Sequence, residues 1–281
     1  MQITAATLAA IAGRAANANM ASTIAGLERA GVGAGLNRPH RLAQYLAQLA
    51  HESGGWRYDR ELWATGKPTP AQARYEGRKD LGNTQPGDGY RFRGRGPIQI
   101  TGRDNYRQFT AWAQKLDARA PDFEADPDAV NTDPWEGLGP IWYWDSRSLN
   151  RYADNGDLLT ITKRINGGTN GLQDRMDQYV RAGLVLLGYA PADVRAFQRS
   201  HGLTIDGIAG PATRAAIHAE LVKRPSVAFG VPARPAPKPA APTVKPAPYD
   251  PPARGTGSSL PVALIVGAVI AAVAAAKIFG G

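Results

Sequence analysis

The chain contains no cysteine. That absence excludes a disulfide scaffold, a thiol nucleophile and a thiolate-ligated zinc, and it removes the usual sequence sign of an oxidising compartment. Histidine is scarce too: His40, His51, His201 and His218 are scattered, with no cluster. The pair His51-Glu52 opens like the His-Glu-x-x-His helix of zinc proteases, in which two histidines one turn apart bind the metal. Position 55 is Gly55, so the second ligand is missing. Neither a metal nor any other cofactor is expected. Met1 to Ala21 lacks the basic segment and clean apolar block of a signal peptide, being Ala-rich and interrupted by Arg14. The expectation is synthesis as a cytoplasmic chain.

What the sequence does carry is positive charge. Thirty-three Lys plus Arg against 24 Asp plus Glu leave a formal charge of +9, which calls for an anionic partner or surface. The run Arg91-Phe92-Arg93-Gly94-Arg95-Gly96 resembles RNA-binding arginine-glycine segments with interleaved aromatics. Such runs are normally repeated, and this one occurs once inside an expected folded domain, so no nucleic-acid partner is expected. Bacterial wall polymers and a membrane surface remain.

The most informative stretch is His51 to Glu61. Leu42, Tyr45, Leu46 and Leu49 recur at helical spacing, and Glu52 falls on the same apolar stripe. Asn37-Arg38-Pro39 marks the helix start and Gly54-Gly55 its stop, which places Glu52 in the last turn. The unpaired carbonyls there, together with partial burial, disfavour a carboxylate and favour its protonated acid. Glu61, nine residues on among Arg57, Asp59 and Arg60, is expected in a polar setting that keeps it ionised. One acid and one base drawn from two like residues is the pattern of glycosidic-bond hydrolysis. Glu76 is a rival for the base, with a salt bridge to Arg74 or Arg78 as its plainer explanation; His51 reads as a structural neighbour of the acid.

Along the chain, two short Ala-rich helices are expected between Thr4 and Ala34, and Trp63 to Gly89 reads as a long turn-rich loop with a short helix near Ala71 to Tyr75. Tyr90 to Gly102 alternates like a short strand or extended segment. Helices follow over 103–116, 136–144, 158–165 and 172–187. Trp56, Trp63, Trp142, Tyr143 and Trp144 read mainly as core, with one or two free to stack on sugar rings.

Three motifs agree in order: Ala50-His51-Glu52-Ser53-Gly54-Gly55, then Gly94-Arg95-Gly96-Pro97-Ile98-Gln99-Ile100-Thr101 with Asn105-Tyr106, then Ile165-Asn166-Gly167-Gly168. Together they resemble glycoside hydrolase family 19. With Arg74-Tyr75-Glu76-Gly77-Arg78 and Gly87-Asp88-Gly89, the resemblance is closest to the lysozyme-like bacterial and phage branch. It implies a mainly α, two-lobed lysozyme-like catalytic domain with minimal sheet over 1–188. It also implies Glu52 as general acid and Glu61 as general base. Gln99, Thr101, Asn105, Tyr106, Asn166 and Arg175 would be the residues that bind sugar or hold water.

Residues 189–223 resemble the small three-helix peptidoglycan-binding module, through Phe197-Gln198, Asp206-Gly207 and Thr213, with the module's first helix merging into the end of the catalytic domain. A linker rich in Pro, Ala and Lys is expected over 224–259. The uncharged run from Leu260 to Ala276 lies within a candidate membrane helix over 260–279, which would tether the chain to the bacterial inner membrane through Leu260 to Phe279. Lys238, Lys245 and Arg254 precede it and only Lys277 follows, which leaves the enzyme on the cytoplasmic side, away from a periplasmic substrate. The combined expectation is a monomeric endolysin that hydrolyses the β-1,4 bonds of peptidoglycan. A chitinase and a non-catalytic wall-binding protein are the alternatives, and a host muramidase of a secretion system is a further variant.

Overall fold

The computed structural model describes residues 1–61 and 73–230. Trp63, the first two residues of the expected helix at 71–75, the linker beyond Gly230 and the 260–279 segment therefore lie outside the described residues. Strand β1 (Gln2–Ile3) leads into helix α1 (Ala5–Ala12) and α2 (Ala18–Gly26). Asn17 caps α2, its side chain accepting from Met20 N–H at 3.0 Å. A π-helical turn over Leu27–Gly31 ends this arm.

Helix α3 (Pro39–Glu52) begins at the expected proline and is buried without interruption from Leu42 to His51. The remaining elements wrap this rod: α4 (Asp88–Arg91), α5 (Arg103–Leu116), α6 (Trp135–Ser146), α7 (Asn150–Ala153), α8 (Leu158–Asn166) and α9 (Leu172–Leu187). The most extensive pairing is α3 along α9. Tyr45 of α3 meets Trp144 of α6 edge to face at 5.5 Å, and Phe109 of α5 stacks on Phe123 at 4.6 Å. The fold is mainly helical with little sheet, as the sequence leads one to expect.

Tyr90 to Gly102 is a correction. Its first residues belong to α4, and the remainder forms no strand, only the isolated bridges Arg60 to Arg95 and Arg95 to Ile100. Pro97 has no N–H to give a ladder, and Gln99 sits at φ +57°, so the segment doubles back as a tight turn.

The module follows as α10 (Val194–Ser200) and α11 (Pro211–Lys223), with α9 packed against α11. Ile217 of α11 faces Gly183 of α9 so closely that a β-carbon at Gly183 would stand 2.5 Å from it. Strand β2 (Ala228–Phe229) then returns to pair in parallel with β1. Val227 N–H donates to Asn37 O at 2.8 Å and Gly230 N–H to Ile3 O at 2.7 Å. The expected linker start at Arg224 is thus corrected: the chain stays on the folded body through Gly230.

Helices α2 and α6 cross backbone to backbone. A β-carbon on Gly137 would lie 1.8 Å from the Ser22 carbonyl oxygen, and one on Gly26 2.2 Å from the Gly137 oxygen. Neither contact is with a side chain that could swing away. Gly137→Ala is expected to lower stability by about 3 kcal/mol or more, or to leave the chain insoluble; thermal unfolding of the variant beside Gly168→Ala, where a β-carbon meets nothing within 4 Å, checks it.

Candidate active site

The end of α3 is built to hold one carboxylate. Ser53 Oγ donates to Leu49 O at 2.6 Å and accepts from Trp56 N–H at 2.7 Å, which folds the chain back on the helix. Gly54 and Gly55 take positive φ, and so does Trp56 at +59°. The tryptophan is held in that costly region by its neighbours: its indole donates to Thr23 Oγ1 at 3.0 Å, and Asn17 and Asn19 donate to its carbonyl. Glu52 is left in the last turn with its side chain 3 % exposed.

Against Glu52 lies Arg175 of α9, which is 0 % exposed. Its Nη2 donates to Glu52 Oε1 and its Nη1 to Gln48 Oε1, one turn back on α3. Glu52 lies in the last turn as the sequence suggests, and a guanidinium stands against it at contact distance. Arg175, expected to bind sugar, is enclosed in protein and touches Glu52. Beside it His51 Nδ1 pairs with Asp174 Oδ2 at 2.5 Å, and its ring lies so near Gly171 that a β-carbon there would stand 2.2 Å away. His51 is thereby enclosed between Asp174 and Gly171.

Glu61 departs from expectation. It is 7 % exposed rather than set among solvated charges, because its backbone N–H donates to Gly94 O at 2.9 Å and its Oε2 accepts from Gly94 N–H at 3.3 Å. The Arg60 to Arg95 bridge draws it inward. Buried Tyr75 is nearby: burial pushes its phenol up, and the negative charge of Glu61 adds to the rise. Glu76, the rival, is committed elsewhere. Its two oxygens accept from Gly87 N–H at 2.7 Å and Gly89 N–H at 2.8 Å, while Arg78 pairs with Asp80 and not with Glu76. Glu76 shapes a loop.

A chain of contacts leads from Glu61 as far as Tyr143. Gly94, bonded to Glu61, sits against the Gln99 amide, where a β-carbon would meet Oε1 at 2.4 Å. Thr101 Oγ1 donates to Gln99 O at 2.9 Å and Asn105 Nδ2 to Thr101 O at 2.7 Å. Arg147 reaches Asn105 Oδ1 at 3.4 Å and lies 3.5 Å from the Tyr143 ring centroid. Burial raises the Tyr143 phenol, Arg147 opposes that, and the charge of Glu52 adds to it. Gln99, Thr101 and Asn105 are therefore linked to one another and to Gly94, which bonds Glu61. Tyr106 and Asn166 are not: Tyr106 is 0 % exposed and donates to Arg93 O at 2.6 Å, and Asn166 is 1 % exposed and donates to Asn170 O at 2.6 Å. The Tyr106 hydroxyl and the Asn166 amide nitrogen thus each bond to a loop carbonyl.

In the module, Phe197, Gln198 and Thr213 of the motif are buried, while Asp206 stays exposed. Phe197 is buried and stacks on His201 with ring centroids 4.0 Å apart. Gln198 is 1 % exposed: it donates to Asp206 Oδ1, Ile208 O and Thr213 Oγ1, and accepts from Gly207 N–H at 2.9 Å. Among the residues that mark the module, Gln198, Asp206, Gly207 and Thr213 staple the 206–213 loop to α10, and Phe197 packs beneath them.

The peptidoglycan binding domain family matches residues 192–217. A glycosyl hydrolase family 19 domain-containing protein of Haemophilus influenzae is 34 % identical over 161 residues, which cover 49 % of this chain and 76 % of that protein. The chain belongs to glycosyl hydrolase family 19. An endochitinase of Arabidopsis thaliana is 32 % identical across 50 % of the chain, and one of Solanum tuberosum 29 % identical across 56 %. The chain spans only about half of those plant proteins, 46 % and 55 % of their lengths. Chitinase C of Streptomyces griseus shares the fold, with a TM-score of 0.51 at 20 % identity over 67 % of this chain and 78 % of that one. This family 19 member is a glycoside hydrolase that carries a peptidoglycan-binding module.

Four members of the site escaped the sequence. Gln48 was hidden as one more residue of an amphipathic helix, Tyr75 in a turn-rich loop, Tyr143 among core aromatics, and Arg147 among many arginines. The positive φ of Gln99 is the sign of a constrained site, but it is visible only in three dimensions.

The ion pair sets a test. Arg175→Ala leaves a buried carboxylate without its countercharge, and the expected cost is about 3–5 kcal/mol. Adding Glu52→Gln to it should restore part of that stability, because the stranded charge is removed; a double-mutant cycle by urea unfolding measures the coupling.

Proposed function

We propose that this protein is an endolysin-type hydrolase that cleaves the β-1,4 glycosidic bonds of peptidoglycan with inversion at the anomeric carbon. The observation that carries the substrate choice is structural continuity. Helix α9 carries Arg175 near its start, against Glu52, and packs α11 of the peptidoglycan-binding module along its second half. The wall-recognition unit is thereby part of the catalytic body and not a remote appendage.

Glu52 Oε1 accepts from Arg175, so the transferable proton belongs on Oε2. From there it passes to the leaving glycosidic oxygen while Glu61 removes a proton from the attacking water on the opposite ring face. An inverting reaction needs the two carboxyls roughly 6.5–9.5 Å apart, so that the water fits between base and sugar. Thr101 gives its hydroxyl proton to Gln99 O and so offers lone pairs toward that water. The enclosed walls strengthen each of these interactions relative to water.

Glu52→Gln and Glu61→Gln are each expected to lower release of soluble glycan from purified sacculi by about 10²–10⁴-fold with the fold retained. Near-normal lysis by a folded Glu52→Gln protein would overturn the assignment. Fresh products should carry the α-anomeric configuration by proton NMR, and mass spectrometry of released muropeptides identifies the bond.

Chitin is the second reading, favoured by the chitinases among the relatives and by the Streptomyces griseus fold. Faster turnover of GlcNAc oligomers than of sacculi would select it.

We further propose that the 260–279 segment tethers the enzyme to the inner membrane. Among the described residues no helix is long and apolar enough to cross a membrane, so the tether rests on the uncharged run itself. Deleting 260–281 should shift the protein to the soluble fraction on ultracentrifugation; unchanged fractionation removes the idea.

A further inference from the structure

Where the module meets the catalytic body, the structure has a cavity of about 350 Å³ that the proposed mechanism does not use. Its walls come from three helices: Asp157 and Leu158 at the start of α8, Met176 and Tyr179 on α9, Arg214 and His218 on α11. The volume suits a small ligand or a few residues of a peptide.

Its polar groups are incompletely satisfied. Tyr179 is 3 % exposed, and its hydroxyl has no hydrogen-bond partner among the described residues. His218 donates from Nε2 to Asp154 O at 3.2 Å, which leaves Nδ1 as an acceptor, buried and likewise without a partner among the described residues. Buried polar atoms of this kind cost stability unless a ligand or water completes them. Arg214 gives one N–H to Ala209 O at 2.5 Å and makes no ion pair among the described residues. Asp157 is committed to capping α8, where its carboxylate accepts from Thr160 N–H at 2.9 Å. Pro211 brings the first turn of the 13-residue helix α11, with its positive end, to the same wall. Leu158 and Met176 supply apolar surface.

Each feature specifies part of a ligand. Arg214 and the α11 terminus ask for an anion, His218 Nδ1 for an N–H donor, the Tyr179 hydroxyl for an acceptor, and the apolar wall for a small alkyl group. A neutral N-acetyl sugar supplies the amide and methyl but no anion. A short peptide ending in an alanine carboxylate supplies all four. We propose that this junction cavity binds the carboxylate end of a peptidoglycan stem peptide, as a second recognition site apart from the cleft that holds Glu52 and Glu61. The assignment rests on the wall-glycan reading above. It gives the enzyme a grip on peptide-bearing wall while the cleft holds bare sugar.

Calorimetric titration of the full chain tests it, with a synthetic stem pentapeptide ending in D-Ala-D-Ala, the same peptide as its C-terminal amide, and a GlcNAc tetramer. The acid should bind at least tenfold more tightly than the amide. Arg214→Ala should abolish that difference and Arg214→Lys keep part of it. Tyr179→Phe should weaken the acid severalfold. Arg214→Ala should also raise KM on intact sacculi while leaving turnover of glycan strands stripped of peptide unchanged. Equal affinity for acid and amide, no peptide binding at millimolar concentration, or sugar binding that Tyr179→Phe weakens would each overturn the proposal. If wild-type protein lyses sacculi without binding the peptide, the cavity assignment alone falls. If it binds the peptide but cleaves no sacculi, the cavity stands and the hydrolase reading falls. The acid-against-amide comparison in wild-type protein needs no variant to fold.

Discussion

The contact between Arg175 and Glu52 is the constraint around which the rest is arranged. It joins the two most extensively packed helices, α3 and α9, by a charge pair that neither helix could bury alone. A guanidinium at 0 % exposure costs stability unless it is paired or hydrogen-bonded, and of its two partners here, Gln48 and Glu52, one is the group proposed to do chemistry. The alignment of α3 on α9 and the aim of Glu52 are therefore one requirement. Ser53, Gly54, Gly55 and the strained Trp56 follow from it, since the chain must leave α3 abruptly without covering the carboxylate.

The second carboxylate is held by different means. Glu61 has no helix beneath it; backbone bonding to Gly94 keeps it in place, and the tight turn through Gln99 completes the frame. One wall of the site is thus a rigid helix pair and the other a loop fixed by main-chain hydrogen bonds. Thr101, Asn105 and Arg147 extend that frame from Gln99 to the Tyr143 ring.

Much of this was legible in the sequence, for identifiable reasons. Helix α3 showed a clean apolar period, a proline at its start and glycines at its end, and its limits were read correctly; α5, α8 and α9 carried similar signals. The environments of charged residues were not legible. Glu61 looked solvated because its sequence neighbours are charged, yet contacts distant in the chain bury it. Arg175, Tyr106 and Gln198 are motif residues whose inward orientation depends on packing that no local pattern encodes. The β2 segment was missed because proline-rich sequence surrounds it, and the alternation of Val227 and Phe229 was its only sign.

That small pairing has a bearing on synthesis. Residues 2 and 3 find their partners only at residues 228 and 229, so the first element of the fold is also the last to be completed as the chain leaves the ribosome. Helices α1 to α9 can assemble while β1 still waits, and closing so long a loop costs only modestly more entropy than closing a shorter one. The latch then sets, with the wall-binding helices already in place. Until that moment β1 has no strand partner, and afterwards the first residues lie beside residues 228–230, so anything fused ahead of Met1 would emerge next to Gly230.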